Sequence, residues 1–259
     1  MPTQHTTTTT DIECFPIQKW IRVYLNGQIV ADSRRCILAR SAGHRAEYYF
    51  PKQDVNMDYL TAAKPTTAAE KAKHQQFWDV RVGDKQTPRA ACEYSNLKEA
   101  PSLDGYITFE WSAMDAWFEE QEEVFVHPHD PRVRIDVLHS NRHIKVIIDG
   151  ETVAESRNPI LLFETGLPVR YYLPKTDVRQ DLLIPSELTT RCPYKGEANY
   201  YSVKIGDRIA EDVVWYYRYP TPEVAKIASY LAFYEERIEA IEVDGERASR
   251  REGTLVGSK

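Results

Sequence analysis

Alternation between apolar and polar residues is the strongest pattern in the chain. Ile21-Arg22-Val23-Tyr24-Leu25 and Ile144-Lys145-Val146-Ile147-Ile148 place every second side chain on one apolar face, the period of a half-buried strand. Each run leads into Asn26-Gly27 or Asp149-Gly150, dipeptides that accept the positive φ of a two-residue turn. Hairpins are therefore predicted over 21–25/28–32 and 144–148/151–155. Third strands are predicted over 35–39 and 159–163. Fourth strands cover 46–50 and 169–173, stopped by Pro51 and Pro174, which cannot donate to a ladder. Residues 77–82 and 200–205 are rich in β-branched and aromatic side chains and read as strands that turn at Gly83-Asp84 and Gly206-Asp207. A different period follows. Val224, Ile227, Ala228, Leu231, Tyr234 and Ile238 have helical spacing, so a helix is predicted over 222–241, with Pro222 in its first turn. Tyr106, Ile107, Met114 and Trp117 predict a matching helix over 103–123.

These elements occur twice because the sequence does. Shifted by 123 positions, Val30-Ala31-Asp32-Ser33-Arg34 meets Val153-Ala154-Glu155-Ser156-Arg157, and Tyr48-Tyr49-Phe50-Pro51-Lys52 meets Tyr171-Tyr172-Leu173-Pro174-Lys175. Val80-Arg81-Val82-Gly83-Asp84 meets Val203-Lys204-Ile205-Gly206-Asp207. One slip to 124 then aligns Tyr106-Ile107-Thr108-Phe109 with Tyr230-Leu231-Ala232-Phe233. A register held this long marks an internal duplication. The predicted fold class is mainly β (α+β): two tandem copies of a small antiparallel β-barrel or β-tent-like domain, each with a packed C-terminal helix. The organisation read from the sequence is a flexible tail over 1–17, a first repeat over 18–124, a linker strand with a second repeat over 125–246, and a flexible tail over 247–259.

Composition narrows the function. A net charge of −6 over 259 residues provides no basic field for nucleic acid. No apolar run reaches the ~20 residues of a membrane span, so no membrane partner is expected. Four cysteines without a C-x-x-C pair match neither a zinc ribbon nor a disulfide framework, which points to free thiols in a reducing, cytoplasmic setting.

The blocks His127-Pro128-His129-Asp130-Pro131, Phe163-Glu164-Thr165-Gly166-Leu167-Pro168, Tyr171-Tyr172-Leu173-Pro174 and Cys192-Pro193-Tyr194-Lys195-Gly196 resemble the family of unknown function numbered 427, in its two-copy form. The resemblance runs from about residue 18 to 247. It implies a fold near the β-tent group and little about activity. The family also carries a nucleotidyltransferase label, but the chain has neither a Gly-Ser pair followed by a spaced Asp-x-Asp nor a Gly-rich phosphate loop.

The two copies differ most in one loop. The second reads Thr189-Thr190-Arg191-Cys192-Pro193-Tyr194-Lys195-Gly196, whereas the first has Thr66-Thr67-Ala68-Ala69-Glu70-Lys71-Ala72-Lys73 at the same offset. The loss of cysteine, proline and glycine identifies the second repeat as the one that kept a site; a tight turn needing Pro and Gly is the alternative. Cys192, flanked by Arg191 and Lys195, fits a nucleophile or a buried structural thiol. Lys195 fits a nucleophile, an anion contact or a salt-bridged surface lysine. His143 is a candidate base, with Arg142 beside it. Arg170, Tyr172, Thr190, Tyr194, Tyr200, Trp215 and Tyr216 are candidates for an aromatic, hydrogen-bonding pocket, some of them serving as core. The His127/His129 run is read as an ordered linker, so no metal and no cofactor is expected. The function read from these residues is binding of a small metabolite in the second repeat. The alternatives are an enzyme using Cys192 or Lys195, and a structural or partner-binding protein with a vestigial site.

Overall fold

The computed structural model describes residues 12–41, 44–66, 75–95 and 100–248. The expected tails lie largely outside these residues, as does most of the first-repeat counterpart of the Cys192 loop (67–74). The chain divides into two compact units, 1–130 and 131–259.

The first unit holds β1 (Ile12–Pro16), β2 (Ile21–Leu25), β3 (Gln28–Ser33), β4 (Ile37–Ser41), β5 (Glu47–Pro51), β6 (Leu60–Ala62), β7 (Gln75–Val82), β8 (Lys85–Tyr94), β9 (Tyr106–Phe109), β10 (Ala116–Glu119) and β11 (Glu122–Glu123). The second repeats them as β12 (Ile135–His139), β13 (Ile144–Ile148), β14 (Glu151–Ser156), β15 (Ile160–Glu164), β16 (Arg170–Leu173), β17 (Leu183–Cys192), β18 (Gly196–Ile205), β19 (Arg208–Tyr217), β20 (Leu231–Phe233), β21 (Ala240–Val243) and β22 (Glu246–Arg247). Seven strands form one antiparallel sheet in the order β1-β4-β5-β9-β8-β7-β6, and β12-β15-β16-β20-β19-β18-β17 copies it. Four strands form a second sheet, β11-β10-β2-β3, copied by β22-β21-β13-β14. The duplication is thus reproduced strand by strand.

The core of each unit lies between its two sheets. Ile21, Val23 and Leu25 point from the small sheet onto Phe50, Val80, Ile107 and Phe109 of the large one. Ile144, Val146 and Ile148 do the same against Leu173, Val203, Val214 and Phe233. Full burial of each such side chain contributes about 1.5–3 kcal/mol. Both hairpin turns take the expected left-handed geometry, with φ of 47° and 71° at Asn26-Gly27 and 49° and 79° at Asp149-Gly150. The large sheets also share a bulge: Arg89 and Asp212, at matching positions, have φ of 54° and 51° beside a break in the β7–β8 or β18–β19 register.

Two expectations are corrected. No barrel closes, because the large sheets end on β1 and β6, or β12 and β17, and the two edge strands of a sheet do not pair with each other among the described residues; a barrel requires that last pairing. Nor does a helix close each repeat. The 222–241 stretch is a pair of short 3-10 turns kinked at Val224 (Pro222–Ile227), then β20, a 3-10 turn (Glu235–Arg237) and β21. The 103–123 stretch is β9, a 3-10 turn (Trp111–Ala113), β10 and β11. Ser229 and Gly105, at matching positions with φ of 64° and 77°, break any continuous helical ladder. Apolar spacing near 3.6 arises there from strands joined at corners. Among the described residues no helix is long and apolar enough to cross a membrane.

Candidate functional site

The outer face of each large sheet, turned away from the small sheet, carries the chemistry. In the second repeat a cross-strand row runs Tyr200–Trp215–Ala232–Tyr172 over β18, β19, β20 and β16. The Trp215 indole N–H donates to the Tyr172 hydroxyl at 3.2 Å. Tyr234 packs on Trp215 with centroids 4.4 Å apart and lies parallel to Tyr200. The Thr190 and Tyr200 hydroxyls are 2.7 Å apart, and Tyr200 reaches the Tyr234 hydroxyl at 3.4 Å. Arg170 sits 5.7 Å from the Trp215 ring and binds Glu236 through two hydrogen bonds of 2.7 and 3.1 Å. Burial works to raise the Glu236 carboxyl, but the Arg170 hydrogen bond, a backbone hydrogen bond and the Arg170 charge together outweigh it, so the group stays below its ordinary value. Burial pushes the Tyr172 and Tyr217 hydroxyls up, the Glu164 carboxylate adds negative potential to both, and Cys192 neighbours both. Cys192 and Glu164 therefore flank this aromatic layer. Lys195 Nζ donates to Glu164 Oε2 at 2.5 Å, and the two side chains are only 12% and 9% exposed.

The turn that carries Lys195 is fixed by its glycine. Cys192 pairs with Gly196 across the β17–β18 hairpin. Gly196 has φ of 95°, and a Cβ there would meet the Tyr219 carbonyl oxygen at 3.2 Å. Thr221 holds the loop from outside, its N–H on the Lys195 carbonyl at 3.2 Å and its hydroxyl on the Tyr194 carbonyl at 2.5 Å. Gly196→Ala is expected to cost about 1–2 kcal/mol from backbone conformation alone, read by urea denaturation. A loss of only a few tenths would mean that the turn relaxes around a side chain.

The structure thus gathers Arg170, Tyr172, Thr190, Cys192, Lys195, Tyr200 and Trp215 on one face. Four other expected residues are not part of this group. Tyr216 points to the opposite face, stacked on Tyr201 at 5.0 Å with Lys175 5.0 Å from its ring. His143 and Arg142 precede β13 of the small sheet, where His143 contacts Glu155 at 2.7 Å and Arg142 contacts Asp244 at 3.6 Å. Tyr194 is half-buried in the turn. Cys192 is half-buried and has no histidine or carboxylate hydrogen-bonded to it among the described residues. No cluster of three or more His, Cys, Asp or Glu capable of holding a metal occurs among the described residues.

The first repeat presents a different surface at the same place. Its row reads Phe77–Cys92–Thr108–Tyr49, matching the second row position for position. Cys92 replaces Trp215, Thr108 replaces Ala232, Glu110 replaces Tyr234 and Glu47 replaces Arg170. The bulk lost at Cys92 and Glu110 leaves a cleft of about 250 Å³. Phe77, Cys92, Tyr94, Thr108 and Trp111 line it, with Glu47, Glu110, Arg45, Arg89 and His127 contributing charge or polarity. Thr108 is 7% exposed, and its hydroxyl has no hydrogen-bond partner. Burial pushes the Cys92 thiol up to about 12, so it is a thiol rather than a thiolate at neutral pH. A larger hollow of about 580 Å³ beside Ile148, Arg208 and Arg237 is wide open to solvent.

A family model described as a domain of unknown function (DUF427) matches residues 13–120 and again 136–244. The chain belongs to the DUF427 family. No curated protein matches it.

The cleft of the first DUF427 copy was not among the residues singled out from sequence. A hollow is made by missing bulk, which one sequence does not display as a motif. The signal was nevertheless present in the self-alignment of the two DUF427 copies: Cys92 against Trp215 at a shift of 123, and Glu110 against Tyr234 at 124.

Proposed function

We propose that this DUF427 chain binds a small organic molecule in the first-repeat cleft. The observation that carries the reading is the Thr108 hydroxyl, buried without a partner on the wall of a cavity of about 250 Å³. An unsatisfied buried hydroxyl costs about 1–3 kcal/mol, a cost that a ligand's polar group offsets. Aromatic walls with a few convergent polar groups are the usual composition of a ligand pocket. The test is Cys92→Trp, which gives the first repeat the residue that fills this position in the second. Compounds that raise the wild-type melting temperature in a metabolite screen are expected to leave Cys92→Trp unmoved. Equal shifts in both proteins would put their site elsewhere.

A second reading puts the ligand at the outer face of the second repeat, against Arg170, Tyr172, Thr190, Tyr194, Tyr200 and Trp215. In its enzymatic form Cys192 or Lys195 serves as nucleophile. It is supported by the nearly buried Lys195–Glu164 pair, since buried charge is costly and is retained where it serves a purpose. The same screen on Cys192→Ala and Lys195→Ala separates the readings: hits lost there and retained in Cys92→Trp favour the second.

A further inference from the structure

We propose that the first-repeat cleft selects small molecules bearing an ammonium group, received by the carboxylates of Glu47 and Glu110 and the hydroxyl of Thr108; the inference rests on the reading of this cleft as a ligand site. Tyr49 lies opposite Thr108 in the β5–β9 pair. Glu47 stands two residues before Tyr49 in β5, and Glu110 directly follows β9. Both line the cleft with Thr108, and the charge of Glu110 acts on the Glu47 carboxyl. Two carboxylates this close repel each other, and a cation received between them relieves the repulsion.

No cation of the described residues lies within ion-pair distance of either carboxylate, although Arg45 and Arg89 line the same cleft. Glu110 accepts a hydrogen bond from the Ser112 hydroxyl at 3.1 Å, and Glu47 a long one from the Tyr49 hydroxyl at 3.4 Å. Neither forms an ion pair among the described residues. Burial, and next the charge of Glu110, push the Glu47 carboxyl above its ordinary value, and His44 opposes this only weakly. Of the cationic groups on the cleft wall, the Arg89 guanidinium lies 4.1 Å from the Phe77 ring centroid and donates to the Lys64 carbonyl at 3.2 Å. Arg45 stands near His127, where burial first and the arginine after it hold the imidazole below its ordinary value. His127 is therefore uncharged at neutral pH.

An ammonium group has three donors and no acceptor. Glu47, Glu110 and Thr108 are three acceptors lining one cleft, and the Thr108 hydroxyl has no partner within the protein. The second repeat replaces all three, with Arg170, Tyr234 and Ala232. The cavity, at about 250 Å³, lies below the ~300–1,000 Å³ of typical drug-sized sites, so the ligand is small.

The test uses three probes that share one ring and differ in charge: benzylamine, benzyl alcohol and benzoate. Each is titrated into the full chain by protein-observed NMR, alongside Glu47→Gln, Glu110→Gln, Thr108→Val and Cys92→Trp. Benzylamine is expected to bind at least tenfold more tightly than benzyl alcohol. Each glutamine variant should weaken benzylamine at least fivefold and leave benzyl alcohol unchanged, and Cys92→Trp should remove both. The glutamine variants are expected to melt no lower than the wild type, since each removes a repulsion, which keeps loss of fold apart from loss of binding. The inference is overturned if benzoate binds best, if benzylamine and benzyl alcohol bind equally, if the glutamine variants leave benzylamine unchanged, or if benzylamine does not bind. Should benzoate or benzyl alcohol bind and be lost in Cys92→Trp, the cleft remains a ligand site and only its preference for ammonium falls.

Discussion

Replacing Trp215 with alanine is expected to lower the stability of the second repeat by about 3–5 kcal/mol, the usual cost of truncating a buried tryptophan. The side chain is 6% exposed and sits at the centre of the outer face, against Tyr172, Tyr234 and Arg170. Truncation removes its apolar contacts and the indole N–H that satisfies Tyr172. Urea denaturation followed by circular dichroism measures the loss, and fluorescence is unsuitable because Trp215 is the only tryptophan of that repeat. Trp215→Cys is a sharper variant, since it recreates the first-repeat residue and should open a hollow at the matching position. A loss below about 1 kcal/mol in Trp215→Ala would show that neighbouring rings collapse into the space, and the contrast between a filled and an open repeat would lose its physical basis.

Lys195→Met is the second large effect. It leaves Glu164, 9% exposed, without its cation. Breaking a buried pair from one side costs about 3–5 kcal/mol, because a desolvated charge is left uncompensated. Replacing both partners by apolar side chains of similar size is often close to neutral. Lys195→Met/Glu164→Leu is therefore expected to recover most of the stability lost in the single variant. If the double variant is as unstable as the single one, the damage lies in the turn held by Gly196 and Thr221, and the ion pair itself matters little.

The sheet-forming half of the molecule was legible because alternation, hairpin dipeptides and self-alignment all agreed on it. Ile21, Val23 and Leu25 are buried as their spacing requires, and so are Ile144, Val146 and Ile148. The two helices were misread because Val224 and Ile227 fill a corner while Leu231 and Phe233 fill a strand, and the combined spacing imitates a helical turn. Gly105, inside the first proposed helix, was the local warning. Sheet closure was not legible at all, since it depends on whether distant edges meet. At the candidate site, Trp215 and Tyr216 are sequence neighbours and must face opposite sides of β19; only cross-strand register tells which of them joins Tyr172 and Tyr200. Arg142 and His143 were drawn in by their chemistry, although they belong to the strand entry of the other sheet.

Every strand pairing among the described residues is made within its own unit. A substitution accepted by the sheets of one unit therefore does not have to be tolerated by those of the other. The two sheet faces differ accordingly: Trp215 and Tyr234 fill the second, and the first has a hollow lined in part by Glu47 and Glu110. Duplication in this form gives two scaffolds of the same pairing plan whose outer surfaces can change independently.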